Sequence, residues 1–415
     1  MIEWSDSDII VRDTMRAFID KEIRPHLDGL ESGELSPYPF VRKLFSEFGL
    51  DVMGAEAIRA MLDEQRAREA SRAEPEDEKT SGTLGEMGAQ ASMAVALISE
   101  LAGVSIGLIS TFGVSLGLGA ATIMTRGTLA QKERWLPELM TLEKIAAWAI
   151  TEPDAGSDAF GGMKTHVRRD GADYLLNGQK TFITNGPDAD VIVVYAKLDD
   201  GEADKRGRKV LTFVLDSGMP GLTQGKAFKK MGMMSSPTGE LFFDDVRLSP
   251  DRLLGETEHH SGGDGRDSAR ANFVAERVGV AVMSLGIIDE CLRLCVDYAK
   301  ARTLWGKEIG RFQLIQLKLA KMEVARMNVQ NMVFQTLERL KAGTLPSLGE
   351  ASAIKWYSSE AATEVAMDAV QLFGGNGYMT EYRVEQLARD AKSLMIYAGS
   401  NEVQITNVAK GLLDP

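Results

Sequence analysis

The chain runs to 415 residues, of which 44% are hydrophobic and 26% charged. That is ordinary for a globular protein and long enough for two or three substructures around a sizeable core. The formal net charge of −13 argues against nucleic acid or an anionic membrane as the main partner, while leaving room for a local cluster of cations.

The opening residues Met1-Ile-Glu-Trp-Ser-Asp6 are acidic and lack an apolar leader, so no secretory or transit signal is expected and a cytoplasmic location is the default. From Ser5 to about Lys144 apolar residues recur at helical spacing, through Ile9, Val11, Met15, Phe18 and Ile19, then through Leu97, Leu101, Ile106 and Ile109. Between these series the densely charged segment 57–79 predicts a solvated helix followed by a mobile linker. The apolar run from Ala91 to Met124 is broken by Glu100 and by glycines, which predicts paired core helices and no membrane insertion.

Near Ala146 the period changes. Ala146–Thr151, Tyr174–Leu176, Val191–Tyr195, Val210–Leu215 and Leu241–Phe243 are short apolar or β-branched runs separated by Gly, Asp and Asn turns. They predict a β-barrel or sandwich. After a glycine-rich connector at 261–266, helical periodicity resumes near Asp267 and continues to the C-terminus, in lengths suited to a four-helix bundle. The expected fold class is α+β and multidomain: an N-terminal α-helical domain over 1–145, a central β-domain over 146–266 and a C-terminal helical bundle over 267–415.

Metal chemistry has no support in the spacing. Cys291 and Cys295 stand four apart on one helical face without nearby histidines, and the four histidines form no zinc or triad pattern. Both cysteines are expected to be packing residues. Gly113-Val-Ser-Leu-Gly-Leu-Gly119 has a helical context, so it is no dinucleotide-binding fingerprint.

Five separated segments carry chemistry. Trp148-Ala-Ile-Thr-Glu-Pro-Asp-Ala-Gly-Ser-Asp158 is a strand and turn. Asn177-Gly-Gln-Lys-Thr-Phe-Ile-Thr-Asn-Gly186 is a hairpin with an aromatic. Arg302-Thr-Leu-Trp-Gly-Lys307 is followed by Gln371-Leu-Phe-Gly-Gly-Asn-Gly-Tyr378 and Met395-Ile-Tyr-Ala-Gly-Ser-Asn-Glu-Val-Gln404. Together with the order of helices, strands and helices, these motifs resemble the acyl-CoA dehydrogenases over nearly the whole chain.

The resemblance implies FAD as cofactor and an acyl-CoA thioester as substrate. Thr151, Phe182 and Thr184 would meet the flavin, and Ser157 would touch FAD or the pantetheine arm of CoA. Phenylalanine stands at Phe182 where relatives often have tryptophan, keeping an aromatic face without the indole donor. Arg302, Trp305, Gln313, Gln371 and Gly375 would hold the pyrophosphate and adenine of a neighbouring subunit's FAD, while Ser400 and Glu402 would lie close to the cofactor. Phe273, Arg277, Ala398 and Gly399 complete the expected substrate contacts. The implied assembly is a homotetramer built from dimers, with electron-transfer flavoprotein as electron acceptor.

The implied reaction is α,β-desaturation, in which a base removes the α-proton and the β-hydrogen leaves as hydride to flavin N5. Many relatives carry that base, a glutamate, at the Ala398 position, and alanine cannot take a proton. In the segment 271–288, however, Glu276 lies in a helical line with Phe273, Val280, Met283 and Ile287. On pattern alone, a functional carboxylate and an ion pair to an adjacent helix stand level. The resemblance decides for function. Isovaleryl-CoA and long-chain enzymes carry the base on this helix just before an arginine, with Ala-Gly in the C-terminal motif, and Glu276-Arg277 with Ala398-Gly399 reproduces both halves.

Two departures are visible: Val274 replaces a frequent acidic residue, and the charged segment 57–79 replaces a loop that borders the site in relatives. Gly103, Ser105, Gly107, Ser110, Gly113, Gly117 and Gly119 suit either a roomy acyl pocket or tight helix packing. A non-catalytic or half-site subunit of a heteromeric dehydrogenase, and an oxidase-like flavoprotein, stand as alternatives.

Overall fold

The computed structural model describes residues 3–71, 83–201, 204–260 and 263–413. Ser5 opens helix α1 (Asp6–Phe18) with a reciprocal cap: its hydroxyl accepts from the Asp8 amide, and the Asp8 carboxylate accepts from the Ser5 amide. Helices α2 (Leu27–Ser32), α3 (Tyr38–Glu47) and α4 (Leu50–Ser71) follow. α4 covers the first part of the charged segment and buries only Ile58 and Leu62, as a solvated helix should. The expected linker, from 72 onward, lies outside the described residues.

Next come α5 (Thr83–Ala102), α6 (Ile106–Val114), a π turn over Ser115–Ala120, α7 (Ala121–Arg126) and α8 (Leu129–Met140). By length and composition Ile106–Arg126 passes as a membrane span, yet 56% of its most apolar window is buried inside the protein. Ile106, Leu108, Ile109 and Phe112 all join the main core.

Strands β1 (Ala146–Ala149), β2 (His166–Asp170), β3 (Asp173–Thr184), β4 (Val191–Leu198), β5 (Val210–Asp216), β6 (Leu222–Gln224) and β7 (Thr238–Leu248) make one seven-stranded sheet. Its order is β1-β4-β2-β3-β7-β6, with β5 also paired to β4. β1 and β2 run parallel to β4, with Ala146 opposite Val191 and His166 opposite Lys197, and the other pairings are antiparallel. β4 is a continuous apolar run because both of its faces are covered. Val191, Val193 and Tyr195 pack with Ile58 of α4 and Trp135 of α8, while Ile192, Val194 and Ala196 pack with Phe213 and Phe243, around which the sheet curls.

Asp264 caps α9 (Gly265–Ala301), which is buried without a break from Val280 to Ile288 and forms the spine of the molecule. A hairpin, β8 (Thr303–Leu304) with β9 (Lys307–Glu308), leads to α10 (Gln313–Lys341), α11 (Leu348–Phe373), α12 (Val384–Leu394) and α13 (Asn401–Leu413). α10 and α11 pack on α9, α12 and α13 pack on α11, and α5 fits against α9 and α10. A glycine allows the closest of these approaches: a Cβ on Gly286 would stand 2.0 Å from the Ser99 carbonyl oxygen. Cys291 and Cys295 are free thiols buried in this core, and burial pushes both thiol pKa values up, which suits packing residues.

Candidate active site

α9 carries Glu276 to the edge of the apolar core, with Val280, Met283 and Ile287 buried behind it. Its carboxyl group is surrounded by protein, although the residue keeps partial contact with open space. Among the described residues no hydrogen bond or ion pair engages it, so the interhelical ion pair is not formed. Burial pushes its pKa up to about 7, against the opposing pull of Arg277 and Lys355. A carboxylate tuned to neutrality and left without a partner is equipped to accept a proton.

Arg277, the next residue along α9, is only 5% exposed. Its guanidinium carbon lies 5.7 Å from the Phe273 ring centroid, and its Nε and Nη1 find no acceptor among the described residues. Phe273 in turn meets Trp148 edge-on at 6.3 Å, joining α9 to β1 just before Thr151.

The turn 397–399 approaches from the C-terminal side. Ala398 (φ 56°) and Gly399 (φ 81°) are both left-handed, a conformation that costs an alanine about 1–2 kcal/mol. Gln404 Nε2 holds it by donating to the Ala398 oxygen at 3.2 Å and the Gly399 oxygen at 2.7 Å. A Cβ on Gly399 would stand 2.6 Å from that Nε2 and 3.9 Å from Arg277 Nη2, so the turn lies beside Arg277. Tyr397 donates its hydroxyl to Met283 Sδ at 3.7 Å, and burial followed by the nearby Glu276 and Asp390 carboxylates raises its pKa. From α11, Lys355 Nζ donates to the Gly399 oxygen at 2.9 Å and to Asn401 Oδ1 at 2.8 Å.

The two β-domain motifs are locked to each other. The Thr181 amide donates to the Thr151 oxygen at 2.9 Å. Lys180 Nζ donates to the Ile150 oxygen at 3.0 Å and to Glu152 Oε1 at 2.9 Å, and Glu152 also accepts from the Lys164 and Thr165 amides. Asn185 Nδ2 ties the end of the hairpin to the Thr111 and Ala146 carbonyls. Between these anchors the β3–β7 register shifts from Lys180 to Ile183. Phe182, at this bulge, takes φ 57° and leaves its ring 67% exposed, a typical use of a bulge to re-aim a side chain. Thr151 and Thr184 are partly buried beside it, and Ser157 is exposed.

A second group gathers at the far end of α9. Arg302 caps that helix, Trp305 sits at the hairpin tip (φ 48°, 87% exposed), and Gln313 begins α10. Gln371 and Gly375 are exposed at the end of α11, where Tyr298 stacks on Phe373 at 4.0 Å and accepts from Asn376 at 3.0 Å. Arg302 follows Glu276 along one continuous helix, which at about 1.5 Å per residue sets them about 39 Å apart. The expected residues therefore form two stations, with Glu276, Arg277, Phe273, Ala398 and Gly399 at one and Arg302, Trp305, Gln313, Gln371 and Gly375 at the other. Ser400 and Glu402 follow the turn, Ser400 partly buried and Glu402 exposed.

The glycines of the α6–α7 region divide between the two expected uses. Gly103, Gly107 and Gly119 serve packing, since Cβ atoms there would stand 2.9 Å, 2.3 Å and 2.6 Å from neighbouring side chains. Gly113 and Gly117 face open space, with no atom within 4 Å of a Cβ, as does Gly279 one turn beyond Glu276. A cavity of about 920 Å³ lies elsewhere, between α1, α5, α9 and α10. None of the expected site residues lines it, and several of its arginines and carboxylates pair with one another, as in Arg12 with Glu100 and Asp289.

Lys355, Tyr397, Asn401 and Gln404 escaped the sequence reading. Lys355 lies on the buried face of α11 with Ala351, Ser352, Ser358, Ser359 and Ala362, a mixed series whose serines hide the signal of a lone buried charge. The other three carry no periodic signal.

Models of the acyl-CoA dehydrogenase N-terminal, middle and C-terminal domains match residues 79–143, 147–246 and 263–413. An acyl-CoA dehydrogenase of Bacillus subtilis (strain 168) is 34% identical over 406 residues, 98% of this chain and 97% of that protein. A mitochondrial isovaleryl-CoA dehydrogenase of Pongo abelii is 37% identical over 307 residues, 74% of this chain and 70% of that protein. The structure of butyryl-CoA dehydrogenase from Megasphaera elsdenii superposes with a TM-score of 0.80 at 32% identity, covering 100% of both chains. The chain belongs to the acyl-CoA dehydrogenase family of flavoprotein oxidoreductases.

Proposed function

We propose that the chain desaturates an acyl-CoA thioester between its α and β carbons, with Glu276 as the base. The observation that carries this reading is the Glu276 carboxyl group, buried without a partner among the described residues and near Tyr397, its pKa pushed up to about 7 by that burial. Glu276 takes the α-proton. Arg277, whose buried Nε and Nη1 have no acceptor among the described residues, supplies positive potential as charge grows on the thioester oxygen, and the Ala398 amide serves that oxygen without needing a side chain.

The residues present suit FAD. Phe182 is open at a bulge, the strand of Thr151 is bonded to that hairpin through the Thr181 amide, and by resemblance Thr151, Thr184, Ser157, Ser400 and Glu402 would meet the cofactor. Bound FAD supplies the acceptor for the β-hydride. The station of Arg302, Trp305, Gln313, Gln371 and Gly375 is too far along α9 to serve the same cofactor, which supports a dimer whose subunits share their FAD sites and a tetramer built from such dimers. Leu304, Leu314 and Leu317 are exposed around that station, an apolar surface that another subunit would cover. Transfer of the electrons to an electron-transfer flavoprotein, in the cytoplasm, completes the reading.

The test is anaerobic bleaching of the flavin by a panel of acyl-CoA thioesters, with the wild type and E276Q side by side. Wild type should bleach and E276Q should lose about 10²–10⁴-fold in rate, the usual worth of a general base. Equal rates would remove Glu276 from the mechanism. Bleaching that needs a sister chain would make this protein a half-site subunit.

A further inference from the structure

We propose that Lys355 is a positioning residue for this reaction: its buried ammonium pins the Ala398–Gly399 turn and, with Arg277, supplies the positive charge that keeps Glu276 ionised. The proposal rests on Glu276 being the base.

Lys355 is 0% exposed. It bonds only to neutral oxygens, those of Gly399 and Asn401, and one of its three N–H groups has no acceptor among the described residues. A buried ammonium with no carboxylate in contact costs free energy, and a neutral donor would satisfy the Gly399 oxygen equally well. A structural peg does not require the charge.

The surroundings show where the charge is felt. The charged groups acting on Lys355 are Glu276 and Arg277 from α9 and Glu402 from α13. Those acting on Glu276 are Arg277 from its own helix and Lys355 from α11, while Tyr397 faces it from the turn. Burial lowers the Lys355 pKa to about 8, and Glu276 acts in the opposite direction, so the ammonium is charged at neutral pH. One side chain thus bonds the turn that borders the site and adds to the field of Arg277 at the base. Because Arg277 is not bonded to Glu276 either, the two cations stabilise the carboxylate through space and leave its oxygens open to a proton.

The experiment is the pH dependence of anaerobic single-turnover flavin reduction by a thioester that bleaches the wild type, in K355M, K355Q and K355R, with flavin content and melting temperature as controls. Wild-type rate should rise with pH through the Glu276 pKa near 7. Losing the cation raises that pKa, so the acid limb of K355M and K355Q should move up by about one pH unit, about a tenfold loss well below the limb that is recovered at high pH. K355R should keep the limb in place while losing rate at every pH, because the wider guanidinium displaces the turn. K355Q carries the same reading if K355M does not fold, since it keeps a donor for Gly399 without the charge. An unmoved limb in the neutral variants, whatever their stability, overturns the proposal. E276Q separates the two claims: if it reduces flavin as fast as wild type, the base assignment itself has failed.

Discussion

Lys180 and Glu152 meet at 2.9 Å between Nζ and Oε1, with both side chains buried where the segments 148–158 and 177–186 cross. Burial alone would raise the Glu152 pKa, but Lys180 and the Thr165 and Lys164 amides bring it below its ordinary value on balance. Burial lowers that of Lys180 to about 8. Removing one partner strands the other charge, so K180M or E152Q should cost about 3–5 kcal/mol in denaturant unfolding. The double variant E152M/K180M should cost clearly less. A depressed carboxylate stabilises the fold above its unfolded pKa and loses that contribution as pH falls through its folded one. The deficit of E152Q should therefore shrink in acid.

Glu276 has the opposite sign. Its folded pKa, about 7, lies above its ordinary value, so the penalty for burying the charge is absent in acid and grows as pH rises through that range. E276Q should unfold like wild type near pH 4 and be more stable at pH 8 by on the order of 1–3 kcal/mol. Melting curves at the two pH values check this without any substrate. A stability gain independent of pH would mean the carboxylate is not the strained group.

At the turn, the two left-handed residues should respond differently. G399A places a Cβ 2.6 Å from Gln404 Nε2 on backbone that already disfavours a side chain by about 1–2 kcal/mol. It should displace the turn, slowing flavin reduction more than it lowers the melting temperature. A398G removes a side chain that takes no chemical part. It should change stability by less than about 1 kcal/mol, since left-handed strain and glycine entropy offset each other, and should leave the reduction rate near wild type.

The helix glycines offer a packing test. G286A drives a methyl group into the Ser99 carbonyl at 2.0 Å and should cost about 1–3 kcal/mol as α9 and α5 separate. G117A meets no atom within 4 Å and should instead gain about 0.5–1 kcal/mol from helix propensity. Chemical denaturation of the two variants distinguishes close packing from open space.

What the sequence by itself determined was set by near neighbours along the chain. The Ser5–Asp8 cap, the unbroken apolar run of β4 and the periodicity of α9 depend on local conformation and on which face is covered, so they were legible. So were the site motifs, and the pairing of Glu276-Arg277 with Ala398-Gly399, through resemblance. Only the tertiary structure decided that Glu276 has no ion-pair partner, because that depends on whether a cation from another helix comes within bonding distance, and Lys355 spends its bonds on Gly399 and Asn401 instead. It also decided that Arg302 stands far from Glu276, since an unbroken helix separates them, and that Gly117 faces space while Gly286 meets a backbone. Periodicity can mark a residue as inward. Whether it finds a partner, a neighbour or an opening there is fixed by elements distant along the chain, whose approach is set by packing of the whole core.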